Sequence, residues 1–129
     1  MAATTVTVGY EQLLPVRITL LAGATNRYRF RFVAKDTGSD DRQPIDLTGW
    51  RAVSQLRTNG VTVLDISPYI TLDANGYITV SIPDEATYGL KEQTCDYDLL
   101  LEDPAGDVIR VIAGKARVKH VTSEGASHV

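Results

Sequence analysis

The sequence predicts an all-β fold, an immunoglobulin-like antiparallel β-sandwich of about seven to nine strands with one short helical turn. The first observation is that apolar and polar residues alternate in nearly every segment, which is the period of a half-buried strand. The second is a series of glycine-containing turns at the short spacing of β-hairpins. The third is size, because 129 residues, of which 43% are hydrophobic, suffice for one domain with a core.

Alternating segments predict the strand positions. In the segment 28–32 (YRFRF), aromatic and arginine side chains are expected on opposite faces of a strand with one buried and one solvated side. The segment 97–101 (YDLLL) is more apolar, which predicts a central strand. Further strands are predicted at 50–57, 78–82, 108–112 and 116–121.

Turn residues separate these strands. Asn59-Gly60 lies between two alternating segments and favours a tight hairpin, because both residues tolerate positive φ. Further turns, rich in Asp, Asn and Gly, are predicted at 37–40, 73–76 and 103–107. The segment 83–90 (PDEATYGL) predicts the helical turn, with Pro at its start, acidic residues in its first turn and Gly near its end.

The predicted domain organisation is one sandwich at 16–122, an N-terminal arm at 1–15 and a C-terminal tail at 123–129. The net charge is −3 with both signs scattered, which favours neither nucleic acid nor an anionic membrane as a partner. Polar residues interrupt the apolar run 13–22, and the first basic residue, Arg17, lies inside it. We therefore expect neither a membrane span nor a signal peptide, and synthesis in the cytoplasm.

Few side chains suit catalysis or cofactor binding. His120 ends the last predicted strand and His128 lies in the tail, so neither is expected to be held as a general base. Neither a G-x-S-x-G elbow nor a glycine-rich phosphate loop occurs. The lone Cys95 excludes an internal disulfide and is expected to be a small buried group in a strand. We predict no enzymatic activity and no cofactor.

Acidic turns are the candidates for a metal site. The segment beginning at Asp73 departs from a calcium loop, because Tyr77 and Ile78 stand where an oxygen ligand and the glycine belong. A second acidic group consists of Asp36, Asp40, Asp41 and Asp46. Such a loop can bind calcium weakly or form a solvated loop tip. The loop tip is favoured, because acidic residues are common in turns, where their side chains bond to the backbone. No metal site is therefore predicted.

Two surfaces are candidates for binding. Arg27, Arg29 and Arg31 alternate along one strand face and form a candidate interface for an anionic partner or a polysaccharide; the alternative is a solvated face that blunts strand aggregation. A carbohydrate-binding module would need exposed aromatic residues on one surface. The candidates for that surface are Tyr10, Tyr69, Tyr77 and Tyr88.

The segment 44–50 (PIDLTGW) is interpreted as a structural corner between two strands, built by Asp46, Thr48, Gly49 and Trp50. The Asp46 and Thr48 side chains can hydrogen-bond to the backbone of the turn. Gly49 permits a backbone conformation that other residues resist, and Trp50 opens the next strand, where burial between the sheets is expected. The alternative, an active site with Asp46 as its base, lacks a histidine, nucleophile or metal set to work with it.

The order of these features resembles the small immunoglobulin-like domains of tailed-bacteriophage virion proteins, including the N-terminal domain of upper baseplate proteins. The resemblance spans about residues 16–122 and depends on the series rather than on any one motif. The series is the strand at 28–32, Asp36-Thr37-Gly38, the corner at 44–49, then 76–80, 83–87, 97–99 and 103–106.

The resemblance implies a non-enzymatic virion subunit that assembles in multiple copies with itself and with other phage virion proteins, without a cofactor. Tail, baseplate, fibre-attachment and capsid-decoration roles all remain open, with a small preference for the tail or baseplate. No coiled coil or fibre repeat follows the sandwich, so an adaptor, ring subunit or decoration is expected. The alternative is a carbohydrate-binding module that attaches to a host glycan.

Overall fold

The fold is described by a computed structural model for residues 5–8, 15–35 and 42–120. Within these ranges the chain forms two sheets of five strands each around one hydrophobic core. The all-β sandwich predicted from the sequence is confirmed. The strands are β1 (Thr5–Val8), β2 (Ile18–Ala22), β3 (Asn26–Lys35), β4 (Arg42–Pro44), β5 (Arg51–Thr58), β6 (Val61–Asp65), β7 (Ile70–Leu72), β8 (Tyr77–Ile82), β9 (Gln93–Glu102) and β10 (Val108–His120).

Most strand pairs are antiparallel, but each sheet has one parallel pair. The first sheet has the order β1-β3-β8-β7, with β4 paired to the end of β3, and the second has the order β2-β10-β9-β5-β6. β1 runs parallel to β3, and β2 runs parallel to β10. Of the predicted arm at 1–15, residues 5–8 therefore lie beside β3 in the first sheet, and most of the rest lies outside the described residues, as does the tail at 123–129.

The prediction of separate strands at 108–112 and 116–121 is wrong. β10 is continuous from Val108 to His120, and its pairing register with β9 shifts between Arg110 and Ile112. Because of this bulge, Val111 and Ile112 are both fully buried although they are adjacent in the chain. Gly114, which lies between the two predicted segments, pairs with Tyr97 inside the strand.

Alternation places the core between the sheets, as predicted. Phe30, Phe32, Ile78, Val80 and Ile82 supply the inner face of the first sheet, and the inner face of the second is supplied by Leu20, Leu56, Leu99, Leu101 and Val118. β9, which contains the predicted central strand, lies in the middle of its sheet. Cys95 is free and 2% exposed on the same inner face, which confirms the predicted buried thiol.

The described turns form where the sequence predicts them. Asn59 and Gly60 both have positive φ, 52° and 79°, and join β5 to β6. The turns at 73–76 and 103–107 join β7 to β8 and β9 to β10, while the predicted turn at 37–40 lies outside the described residues. The helical turn is α1 (Asp84–Thr87), and a 3-10 turn (Ser67–Tyr69) was not predicted. Within the described ranges, no helix is long and apolar enough to cross a bilayer.

Candidate functional site

The Asp46 carboxylate closes the corner by binding its own turn. Asp46 Oδ1 accepts hydrogen bonds from the Thr48 backbone N–H at 2.9 Å and from Thr48 Oγ1 at 2.6 Å. The Thr48 hydroxyl, followed by the Thr48 N–H, lowers the pKa of the Asp46 carboxyl below its usual range because both bonds favour the ionised form. The lowered pKa makes this carboxylate a weaker base, and its Oδ1 is already bonded to the turn, so Asp46 is a poor candidate for a general base.

Gly49 and Trp50 complete the corner. The Trp50 N–H donates to Leu47 O at 3.0 Å, and Gly49 takes a φ of 82° at the third position of this turn, where positive φ favours glycine. Trp50 is half-buried rather than enclosed between the sheets. It packs on the core edge-to-face with Phe32, with ring centroids 5.9 Å apart.

The corner docks on the turn between β7 and β8 through backbone hydrogen bonds. Ile45 N donates to Phe32 O at 3.0 Å, and Leu47 N donates to Asp73 O at 3.1 Å. Phe32 N in turn donates to Gly76 O at 2.7 Å. A Cβ on Gly76 would lie 2.5 Å from Phe32 O and 3.1 Å from Ile45 O, so this contact requires glycine. The sequence prediction placed Gly76 only in a local turn.

The other acidic turn residues bind backbone in the same way. Asp65 Oδ1 accepts from Ser67 N, and Asp73 Oδ1 accepts from Asn75 N and Tyr77 N at 2.9 and 3.0 Å. Asp103 Oδ1 accepts from the backbone N–H groups two and four residues further on, at 3.0 and 2.9 Å. Asp46 and Asp73, which raised the question of acid–base and metal chemistry, therefore stabilise turns.

The three arginines of the candidate interface share the outer face of the first sheet with Tyr77. The guanidinium carbons of Arg29 and Arg31 lie 4.5 and 4.7 Å from the Tyr77 ring centroid, within cation–π distance. Arg31 Nε also donates to Asn75 O at 3.2 Å, and Arg27 Nε donates to Ser81 Oγ at 3.3 Å. We call Arg27, Arg29, Arg31 and Tyr77 the arginine ladder. β8 places Tyr77 opposite Arg31, which the sequence alone did not indicate.

The candidate tyrosines for a sugar platform lie apart within the described chain. Tyr77 is covered by the ladder arginines, and Tyr69 packs against the core from the 3-10 turn. Tyr88 is exposed but follows α1, beyond the opposite end of β8 from Tyr77. Tyr10 lies outside the described residues. Within the described residues, Tyr69, Tyr77 and Tyr88 therefore do not share one aromatic surface.

The remaining candidate residues are the two histidines and the acidic residues of the predicted loop tip. His120 ends β10, and its Nε2 lies 2.7 Å from Leu90 O. His128, Asp36, Asp40 and Asp41 lie outside the described residues. In the part of the chain that the structure describes, no group of His, Cys, Asp or Glu residues is arranged to hold a metal ion.

Tyr97 anchors the entry to β2 across the second sheet. Its hydroxyl donates to Val16 O, and Gly114 leaves space for that backbone, because a Cβ there would lie 2.3 Å from Val16 O. Burial raises the pKa of the Tyr97 hydroxyl, since a phenolate would lose hydration inside the protein. The pKa of the Tyr28 hydroxyl is also raised, mainly by burial and secondly by the charge interaction with Tyr97.

Comparison with known proteins finds a likeness among solved structures but none in sequence. No family model matches the chain, and no curated protein matches it. Among solved structures, the chain is similar to the N-terminal domain of phage TP901-1 ORF48. The similarity covers 90% of this chain and 98% of that one, with 10% sequence identity and a TM-score of 0.49.

A basic groove lies on the outer face of the second sheet and was not predicted from the sequence. It is lined by Arg17, Thr19, Thr94, Lys115, Arg117 and Lys119. The alternating segment 115–119 (KARVK) was a usable signal, because a strand places its three basic residues on one face. The contributions of Arg17, just before β2, and of Thr94 in β9 could not be predicted, since both residues are separated from this segment in sequence.

Proposed function

We propose that this protein is a non-enzymatic structural subunit of a tailed-bacteriophage virion that assembles in several copies. It serves as a tail, baseplate or fibre-attachment component, or as capsid decoration. The proposal combines the ordered series of sequence features with what those features do in the fold. The observation that carries it is that the turn carboxylates cap backbone N–H groups, so the acidic residues of these turns build a scaffold instead of an active site.

The arginine ladder is the proposed contact surface for a neighbouring virion protein. Cation–π contact with Tyr77 holds the Arg29 and Arg31 guanidiniums in place, so less side-chain freedom is lost when a partner binds. Guanidinium groups suit planar carboxylate partners, because they present donors in a fixed fork. An acidic sheet face or loop on another subunit fits this surface.

Locating the protein in purified particles tests the proposed role. We expect chemical crosslinking to connect it to other virion proteins, and imaging of the particle to show several copies at one structure. Finding the protein in infected-cell lysate but never in purified particles would refute the role.

The corner provides a second test of the same role. Asp46→Asn is expected to change stability or incorporation into particles, because it weakens the cap on Thr48. Thr62→Asn, at an exposed position on the outer strand β6, is a control that leaves the corner intact. Loss of a measurable turnover in Asp46→Asn, with stability and incorporation unchanged, would contradict the structural interpretation.

A further inference from the structure

The basic groove retains positive charge after its internal pairing is counted. Lys115 Nζ pairs with the Asp96 carboxylate, and Arg117 Nη1 donates to Thr94 Oγ1 at 3.2 Å. Within the described residues, Arg17, Arg117 and Lys119 form no ion pair. The groove has a volume of about 390 Å³, and its lining contains hydroxyls and cations but no carboxylate. Its chemistry therefore suits a carboxylate-bearing segment.

The far end of the sandwich has the opposite charge. The corner lies beside both neighbouring turns: Leu47 N donates to Asp73 O at 3.1 Å, and a Cβ on Gly49 would lie 3.5 Å from the Pro104 side chain. The three loops are thus contiguous, and their carboxylates are those of Asp46, Asp73, Asp103 and Asp107. We call these four residues the acidic end. Arg31 and Arg51 border it from the two sheets.

One molecule cannot bring these two surfaces together. The 103–107 turn joins β9 to β10 at the acidic end, whereas the groove residues Thr94 and Arg117 pair near the other end of the same hairpin. The separation along the strands is roughly 25 Å, from the rise of about 3.3 Å per residue. The rigid hairpin keeps them apart, so their complementarity can be satisfied only between molecules.

We infer that the basic groove of one copy binds the acidic end of a second copy, in a head-to-tail contact. Such a contact uses two different surfaces, so it leaves one groove and one acidic end free on every pair. Repetition closes into a ring or continues as a filament. The inference deepens the proposed structural role, because it rests on assembly in several copies and names the surfaces that meet.

The contact is expected to depend strongly on salt. Exposed ion pairs are individually weak, and several of them must act together across the contact. The screening length falls from about 10 Å at 0.1 M salt to about 3 Å at 1 M. Association should therefore be clearest at low ionic strength and at high protein concentration.

Charge exchange between two variants tests the contact. The groove variant is Arg117→Glu with Lys119→Glu, and the end variant is Ala105→Lys with Asp107→Lys. The hairpin uses only backbone atoms of residues 105 and 107, so these changes spare its hydrogen bonds. The control is Arg57→Glu with Arg110→Glu, which makes the charge change of the groove variant at exposed positions of the same sheet outside the groove.

Sedimentation velocity over a range of protein and salt concentrations measures the outcome. We expect the wild type and the control to associate at low salt, and each test variant alone to associate about tenfold more weakly. A mixture of the groove and end variants should regain association, because the reversed surfaces are again complementary. Circular dichroism and urea midpoints verify that every variant folds.

The inference is overturned if the wild type stays monomeric at low salt, or if the mixed variants associate no better than each alone. It is also overturned if wild type binds heparin or an oligonucleotide through the groove while showing no self-association, since the groove then serves another polyanion. These outcomes leave the virion role intact if particles contain the protein. Absence from particles removes that role even where the purified chain self-associates.

Discussion

Replacing Gly76 with alanine should be far more harmful than replacing glycines with the same backbone conformation elsewhere. Gly76 has a φ of 82° and is buried, and a Cβ there would meet the backbone oxygens of Phe32 and Ile45. Gly60 has a nearly identical φ of 79°, but a Cβ there would meet nothing within 4 Å. Alanine therefore has a similar backbone conformational cost at both sites, but its Cβ meets neighbouring atoms only at Gly76.

The magnitudes follow from this difference. A side chain in the left-handed region costs roughly 1–2 kcal/mol, which is the whole expected loss for Gly60→Ala. At Gly76 the strands must also separate, which weakens the bonds Phe32 N to Gly76 O and Ile45 N to Phe32 O. At about 1 kcal/mol per backbone hydrogen bond, the expected loss for Gly76→Ala rises to about 3–4 kcal/mol.

Urea unfolding followed by circular dichroism measures both losses as free energies of unfolding. Gly106→Ala is a second control, because Gly106 has a φ of 94° and equally open surroundings. The expected order is a large loss for Gly76→Ala and similar small losses for the two controls. Equal losses at all three positions would refute the argument that the corner packs on Gly76, and would leave only the local turn.

Three further predictions concern single side chains. Thr48→Val should raise the pKa of Asp46 towards its ordinary value, which NMR titration measures. In the wild type, the stability that this lowered pKa contributes is fully present above the ordinary carboxyl pKa of about 4 and is lost as pH falls through the lower pKa of the folded state. Asp46→Asn should lack this pH dependence. A thiol reagent should modify Cys95 only when denaturant opens the core, and rapid labelling of the native protein would contradict its burial. Tyr97→Phe should cost about 1 kcal/mol in urea unfolding through the lost bond to Val16 O, and an unchanged midpoint would show that the bond contributes nothing.

Local chemistry explains what could be predicted from the sequence. The Asn59-Gly60 hairpin was predictable because positive φ is a property of those two residues and their immediate neighbours. The Asp46 cap was predictable because it spans only two residues. Strand positions followed from alternation, which reports the exposure of each side chain whatever the partner strand is.

Features that depend on strand neighbours could not be predicted. The need for glycine at position 114 depends on the Val16 backbone, which lies against that position and is distant in the chain. The basic groove likewise needs β2 to run parallel beside β10, which brings Arg17 to the lysines of a remote strand. Alternation gives the face of each residue but not the strand that will lie next to it.

The sequence by itself determined the all-β class, the described hairpins and helical turn, and the capped corner at 44–50, because these depend on interactions between residues close in the chain. Tertiary structure alone decided the two parallel pairs, the glycine requirement at Gly76 and the separation of the basic groove from the acidic end. These features depend on which strands lie side by side. That choice is made by burial of the shared core, to which residues between Val16 and Val118 contribute.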